Sequence, residues 1–310
     1  MTDVALAGIA PEPGVAKPDP VLVIDGVRRR YGGVLAVDVD HLEVQQGLIT
    51  ALIGPNGAGK TTLFNVLTGF DHSDEGHWSF GGRGVTGARP HRLAQLGMVR
   101  TFQLTKSLNR MTVLENLLLA APGQRGERFW SSLVPGSWRG QERANAARAR
   151  ELLERFNLGH MADELSGGLS GGQRKLLELA RALMVGPQLV MLDEPMAGVN
   201  PALTQSLLGH IKALRDDGLT VMFVEHDMDV IMSISDWVVV MAEGAIIAEG
   251  RPGDVAGNED VIAAYLGRHH DESIEQLEAE SQPDGRTGRA PEARPDEPSA
   301  DDDPDAGGRV

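Results

Sequence analysis

The chain has 310 residues, 41% hydrophobic and 4% aromatic, with no cysteine and a formal net charge of −15 at pH 7. That length buries one large domain or a domain with a subdomain, while the missing cysteines exclude disulfides, thiolate nucleophiles and cysteine-held metals and suit a reducing cytoplasm. The acidity argues against a nucleic-acid surface, which needs clustered Lys and Arg; no apolar stretch approaches the ~20 residues of a membrane-spanning helix, and no basic segment precedes an apolar one as in an export signal.

Residues 1–20, rich in Pro, Ala and Gly, are expected to form a flexible end, with the folded part spanning about 21–268. Strand-like runs follow at 21–25, 37–44 and 48–53, then a helical repeat over 61–68, and further strands at 77–80 and 98–102. Between 104 and 168 the pattern is nearly free of strands, with helices expected over 112–121 and 141–156. This stretch is read as a helical subdomain inserted between the halves of an α/β core. Beyond it, helices at 172–185, 201–216 and 228–234 alternate with strands at 189–192, 220–224, 237–241 and 245–248. The tail, 269–310, is expected to be disordered. From Asp271 to Val310 it holds 13 acidic and 4 basic residues, which is −9 of the total −15, with five prolines and no aromatic residue. Such a segment cannot bury enough apolar surface to offset the entropy of ordering it.

The most informative string is Gly54-Pro55-Asn56-Gly57-Ala58-Gly59-Lys60-Thr61, placed directly after an apolar strand and before a helix. That context lets backbone N–H groups converge on phosphate oxygens with a helix N-terminus behind them. Lys60 is the candidate contact to the β- and γ-phosphates, Thr61 a Mg²⁺ ligand, and Thr62 a contact to the α-phosphate. A second apolar strand ends in Asp193-Glu194. Asp193 is the candidate to steady the Mg²⁺ shell, and Glu194 to orient the attacking water or take its proton.

Leu169-Ser170-Gly171-Gly172-Gln173 opens a helix whose Leu176, Leu179, Ala180 and Leu183 follow a helical repeat. Ser170 is a credible N-cap, and exposed N–H groups there suit an anion. A near copy, Leu165-Ser166-Gly167-Gly168, lies just ahead. The second copy is preferred because Gln173-Arg174-Lys175 and the amphipathic helix follow it at once.

Together these motifs resemble the ATPase subunit of an ATP-binding-cassette transporter over roughly residues 21–268. The resemblance implies an α/β fold, a P-loop NTPase core with an antiparallel β subdomain and an inserted helical subdomain, using ATP and Mg²⁺. It implies that Tyr31 stacks on adenine, that Gln103 senses Mg²⁺ and attacking water, and that His226 touches the γ-phosphate. It also implies that two ATPase subunits, identical or different, close head to tail, so Ser170, Gly171, Gly172 and Gln173 of one face nucleotide held by the other. Asn200 stands where many members have aspartate in the dimer-contact loop. Permease subunits, indirectly a solute-binding protein, and a peripheral place on the cytoplasmic face of the inner membrane are implied partners and location; no nucleic acid is.

The strings Gly69-Phe70, Pro90-His91-Arg92, Arg100-Thr101-Phe102-Gln103, Thr112-Val113-Leu114-Glu115-Asn116 and Glu225-His226-Asp227-Met228-Asp229, with the ending Val261-Ile262-Ala263-Ala264-Tyr265-Leu266-Gly267, resemble branched-chain amino-acid importer ATPases. Urea or amide importers, lipopolysaccharide exporters and soluble cassette ATPases stay open alternatives, because permease and binding protein select cargo. An insertion at 122–140 carries Phe129, Trp130, Leu133, Val134 and Trp138. These either fold onto their own subdomain, or grip a permease coupling helix or lie near lipid headgroups.

Overall fold

The computed structural model describes residues 6, 8–101, 108–123 and 139–265. Gln103, the aromatic residues of the 122–140 insertion and the 269–310 tail lie outside the described residues.

Strands β1 (Pro20–Tyr31) and β2 (Val34–Gln45) form an antiparallel hairpin about a two-residue turn, with Tyr31 opposite Val34 and Gly32 at φ 58°. Gly tolerates that left-handed backbone at no steric cost. β4 (Glu75–Phe80) and β5 (Arg83–Gly84) complete a sheet of order β2-β1-β4-β5. Alternate residues Leu22, Ile24, Val37, Val39, Trp78 and Phe80 turn inward and are buried, as the two-residue period of a strand requires.

A second sheet has the order β10-β9-β3-β8-β7-β6. Its strands are β3 (Ile49–Ile53), β6 (Met98–Arg100), β7 (Leu189–Asp193), β8 (Thr220–Val224), β9 (Trp237–Ala242) and β10 (Ala245–Gly250). All are parallel except β10, an antiparallel edge. Both faces of the inner strands β3, β7, β8 and β9 are covered, which is why these four read as largely apolar runs. Ile49, Ala51, Ile53, Val221 and Phe223 join the core on one face; Leu48, Leu52, Met222 and Val224 join that on the other.

The helices are α1 (Lys60–Leu67), α2 (Pro90–Leu96), α3 (Val113–Leu119), α4 (Arg139–Arg155), α5 (Gly171–Leu183), α6 (Pro201–Asp216), α7 (Met228–Ile234) and α8 (Pro252–Ala256). In the inserted region Val113 and Leu117 of α3 and Ala149 and Leu153 of α4 share a core with Leu177 of α5. The α3 N-terminus is closed by a capping box between Thr112 and Glu115.

The flexible N-terminal end expected from composition is corrected for Leu6 and residues 8–20. Leu6 is buried, and the Lys17 ammonium lies 2.9 Å from Glu249 Oε2, with both side chains at most 1% exposed. The same ammonium sits 4.6 Å from the centre of the Trp237 ring. Trp237 Nε1 donates to Glu249 Oε2 at 2.8 Å, and the Val15 amide to Oε1 at 3.1 Å. Local composition carries no sign of this, because the partners lie more than 200 residues along the chain.

Candidate phosphate-binding and catalytic site

Strands β3, β6, β7 and β8 run the same way, so their carboxyl ends meet at one edge of the sheet, where ligands of open parallel sheets bind. Val224 pairs with Leu52 on one side and with Asp193 on the other. Gly54, Glu225-His226 and Glu194 therefore leave the sheet at one level. One strand separates β3 from β7, which sets the phosphate loop and the Asp193-Glu194 pair about 10 Å apart at ordinary strand spacing.

The loop is built from backbone that only glycine fits at two points. Gly54 has φ 146°, and a Cβ there would fall 2.0 Å from the Met241 carbonyl oxygen; Gly59 has φ 99°, with 2.3 Å to the Ala36 oxygen. The Gly244 amide donates to the Ala58 oxygen at 3.0 Å, bracing the loop from the β9–β10 turn. Lys60 Nζ donates to the Gly54 and Pro55 oxygens at 2.7 and 3.0 Å, curled over its own loop. Pro55 and Thr62 are half-buried, Ala58 is buried, and Asn56, Gly57 and Thr61 are exposed.

Asp193 Oδ2 lies 2.5 Å from Nη2 of Arg100, a residue that sequence reasoning did not single out. Glu194 follows at φ 46°, one of three non-glycine residues with positive φ among the described residues. A left-handed conformation costs such a residue roughly 1–2 kcal/mol, and it persists where the surroundings fix it. Here the Glu194 amide donates to the Val224 oxygen at 3.0 Å and its carbonyl accepts from the Ala197 amide at 3.1 Å.

His226 stands 68% exposed at the end of β8, its Nδ1 3.9 Å from Glu225 Oε2. Glu225, also missed from sequence, is 1% exposed; Oε1 accepts the Met196 amide at 2.9 Å and Oε2 the His226 amide at 3.4 Å. Burial is the main cause holding its carboxyl above the usual range, with Glu194's charge adding to it, while the two amides and His226 pull the other way. Glu225 thus ties the turn after Glu194 to the base of His226. Its one sequence signal is a carboxylate directly after the apolar run Val221–Val224.

Tyr31 ends β1 with 46% of its surface exposed. Its hydroxyl donates to Asp71, and the Arg29 guanidinium lies 4.6 Å from the ring centroid and pairs with Asp71 at 3.0 Å. The ring is thereby held at the surface beside a cation.

The two serine-glycine copies have different surroundings. Ser166 is buried, its Oγ donating to the Leu108 oxygen at 2.8 Å and accepting Asn116 Nδ2 at 3.2 Å. Ser170 is exposed and caps α5 in a capping box: its Oγ accepts the Gln173 amide at 3.3 Å, and its own amide donates to Gln173 Oε1 at 2.9 Å. Among the described residues Ser170 Oγ only accepts, so its O–H can still donate. Gly171 is exposed, whereas Gly172 packs on α6, where a Cβ would meet Leu203 Cδ1 at 2.4 Å. Asn200 caps α6, accepting the Leu203 amide at 3.0 Å, a task asparagine performs as well as aspartate.

Mg²⁺ takes oxygen ligands and is usually held by one or two protein groups together with substrate phosphates. Thr61 and Asp193 offer such oxygens. Among the described residues no group of three His, Asp or Glu side chains is placed to hold a metal unaided. Among the same residues, no helix is long and apolar enough to cross a membrane.

Residues 37–197 match the family model described as ABC transporter, and residues 245–271 that described as branched-chain amino acid ATP-binding cassette transporter. A probable branched-chain amino acid transport ATP-binding protein, LivG, of Archaeoglobus fulgidus is 42% identical over 252 residues, 81% of this chain and 97% of that one. The high-affinity branched-chain amino acid transport ATP-binding protein BraF of Pseudomonas aeruginosa is 42% identical over 80% of this chain and 98% of its own. Among solved structures, a nucleotide-free ATP-binding cassette from an ABC transporter superposes with a TM-score of 0.70 at 38% identity, over 79% of this chain and 98% of that one. The ADP conformation of a cassette gives 0.69 at 36% identity, over 80% and 99%.

Proposed function

This chain belongs to the ABC transporter family, and we propose that it is the ATP-hydrolysing subunit of a branched-chain amino-acid importer, docked on permease subunits at the cytoplasmic face of the membrane. The observation that carries the reading is the common level at which Gly54, Asp193-Glu194 and Glu225-His226 leave one sheet edge. Support for the cargo comes from relatives that carry that cargo in their names.

Lys60 leaves its loop carbonyls for the β- and γ-phosphates, and the loop amides and the start of α1 take the remaining negative charge. Tyr31 stacks on the base. Thr61 and Asp193, with Gln103, hold Mg²⁺, which when bound neutralises charge on the phosphate oxygens. Water attacks the γ-phosphorus, the bond to the β-phosphate oxygen breaks toward ADP, and Glu194 takes the water's proton while His226 contacts the transferred group. Each chain supplies one phosphate loop and one Leu-Ser-Gly-Gly-Gln segment; in this reading one ATP is shared between the loop of one subunit and Ser170, Gly171, Gly172 and Gln173 of another. ATP closes the pair because only the closed state gains contacts to the γ-phosphate, and hydrolysis releases it.

The test is turnover and uptake by the assembled transporter in proteoliposomes. Wild type should hydrolyse Mg-ATP and accumulate leucine, and Glu194→Gln should lose at least ~100-fold in kcat while still binding ATP. Full turnover by Glu194→Gln would refute the catalytic assignment; hydrolysis stimulated by a different solute, with no leucine uptake, would refute the cargo.

A further inference from the structure

We propose that Arg100 is a positioning residue for the Mg²⁺ site: it fixes the Asp193 carboxylate through Oδ2 and weakens that carboxylate's pull on the cation. The proposal rests on the reading above, in which Asp193 belongs to the Mg²⁺ shell.

Arg100 closes β6, and Met191 lies opposite it on β7, two residues before Asp193. Its side chain is 9% exposed and that of Asp193 15%. One end of the guanidinium, Nη2, is 2.5 Å from Asp193 Oδ2; the other, Nη1, donates to Asn65 Oδ1 at 2.7 Å and Thr68 Oγ1 at 3.3 Å. The guanidinium carbon sits 5.8 Å from the Phe64 ring centroid. Asn65 and Phe64 belong to α1 and Thr68 caps its end. One planar cation therefore joins the helix behind the phosphate loop to the strand that carries the carboxylates.

Two consequences follow from chemistry alone. A guanidinium anchored at its other end on Asn65 and Thr68 fixes Oδ2, which leaves the second oxygen of Asp193 as the one for a cation. The same positive charge, close to the carboxylate and poorly screened by water, opposes the arrival of a second cation. A lysine would keep the charge but, as a single point donor, could not span Asp193, Asn65 and Thr68 together.

The test compares wild type, Arg100→Gln and Arg100→Lys in the assembled transporter, each shown to be folded by its thermal melt. Manganese binding to the complex with a non-hydrolysable ATP analogue is read by electron paramagnetic resonance, beside kcat in Mg-ATP. Arg100→Gln should bind Mn²⁺ roughly 3- to 10-fold more tightly, because a neighbouring positive charge is gone, yet lose about tenfold in kcat because Asp193 is no longer held. Arg100→Lys should keep wild-type Mn²⁺ affinity and recover only part of kcat. A residue serving only packing would lower stability without parting affinity from turnover in this way. Unchanged Mn²⁺ affinity in Arg100→Gln, or full turnover in either variant, overturns the role of Arg100 while the parent reading stands. If Arg100→Gln fails to fold, full turnover by Arg100→Lys still overturns it, and reduced turnover at wild-type Mn²⁺ affinity upholds it. A wild-type protein without Mg²⁺-dependent hydrolysis overturns both.

Discussion

Replacing Ser166 and Ser170 in turn by alanine should separate stability from function. Ser166→Ala removes the Oγ that donates to the Leu108 oxygen at 2.8 Å and accepts Asn116 Nδ2 at 3.2 Å. A buried group left without its partner costs about 1–3 kcal/mol. Asn116 keeps another acceptor, the Thr112 oxygen at 2.9 Å, so the lower half of that range, ~1–2 kcal/mol, is expected. For a domain this large each kcal/mol lowers the melting temperature by roughly 2–4 °C. Ser170→Ala loses an N-cap, worth ~1 kcal/mol, and its melt should fall by a similar amount. Function should part them: in a Glu194→Gln background with Mg-ATP, sedimentation velocity should show ATP-driven pairing kept by Ser166→Ala and lost by Ser170→Ala. Pairing lost in the Ser166 variant and retained in the Ser170 variant would refute the assignment of the second copy.

Gly54→Ala places a Cβ 2.0 Å from the Met241 oxygen at φ 146°; calorimetry should show a loss of about 3 kcal/mol or more, with ATP binding abolished, and a near-neutral result would mean the loop is shaped otherwise. Lys17→Met leaves the Glu249 carboxylate buried without a counter-charge, so urea unfolding should show a loss of ~3–5 kcal/mol, whereas no loss would show that the N-terminal segment is not packed against β10. Glu225, raised by burial, holds its proton in the folded chain after the unfolded chain has released it, so its contribution to stability is present below its ordinary value of 4.5 and fades as pH rises through its folded value. Glu225→Gln should flatten that slope, and unfolding curves with the same slope as wild type would contradict the burial of a titrating carboxyl there.

The core strands were legible because both faces of the parallel sheet are covered, so 48–53, 189–192, 220–224 and 237–241 appear as apolar blocks that the structure reproduces within a residue or two. The pattern reveals β1 only to residue 25, because Arg28, Arg29 and Arg30 lie in its second half and conceal a strand whose alternate positions stay polar. α2 and α8 escaped because each has a single buried residue, Leu93 or Val255, and cannot show a helical repeat. The phosphate loop and the Asp193-Glu194 pair are written contiguously and could be read as strings. Arg100 and Glu225 also stand in recognisable strings, but their roles are not written there, since these lie in partners 93 and 29 residues away in sequence. Ser166 against Ser170 is the intermediate case: the strings are alike, and burial tells them apart.

The most direct test of a shared ATP is complementation between two defective copies, Lys60→Ala and Ser170→Ala, each in the Glu194→Gln background and assembled as pairs on the permease. Neither variant paired with itself contains an intact loop facing an intact serine-glycine helix start, so neither should trap ATP. The mixed pair restores one such site and should trap about one ATP per pair. A mixed pair that traps none, or a Ser170→Ala pair that traps ATP as fully as Glu194→Gln alone, would contradict nucleotide held between two chains.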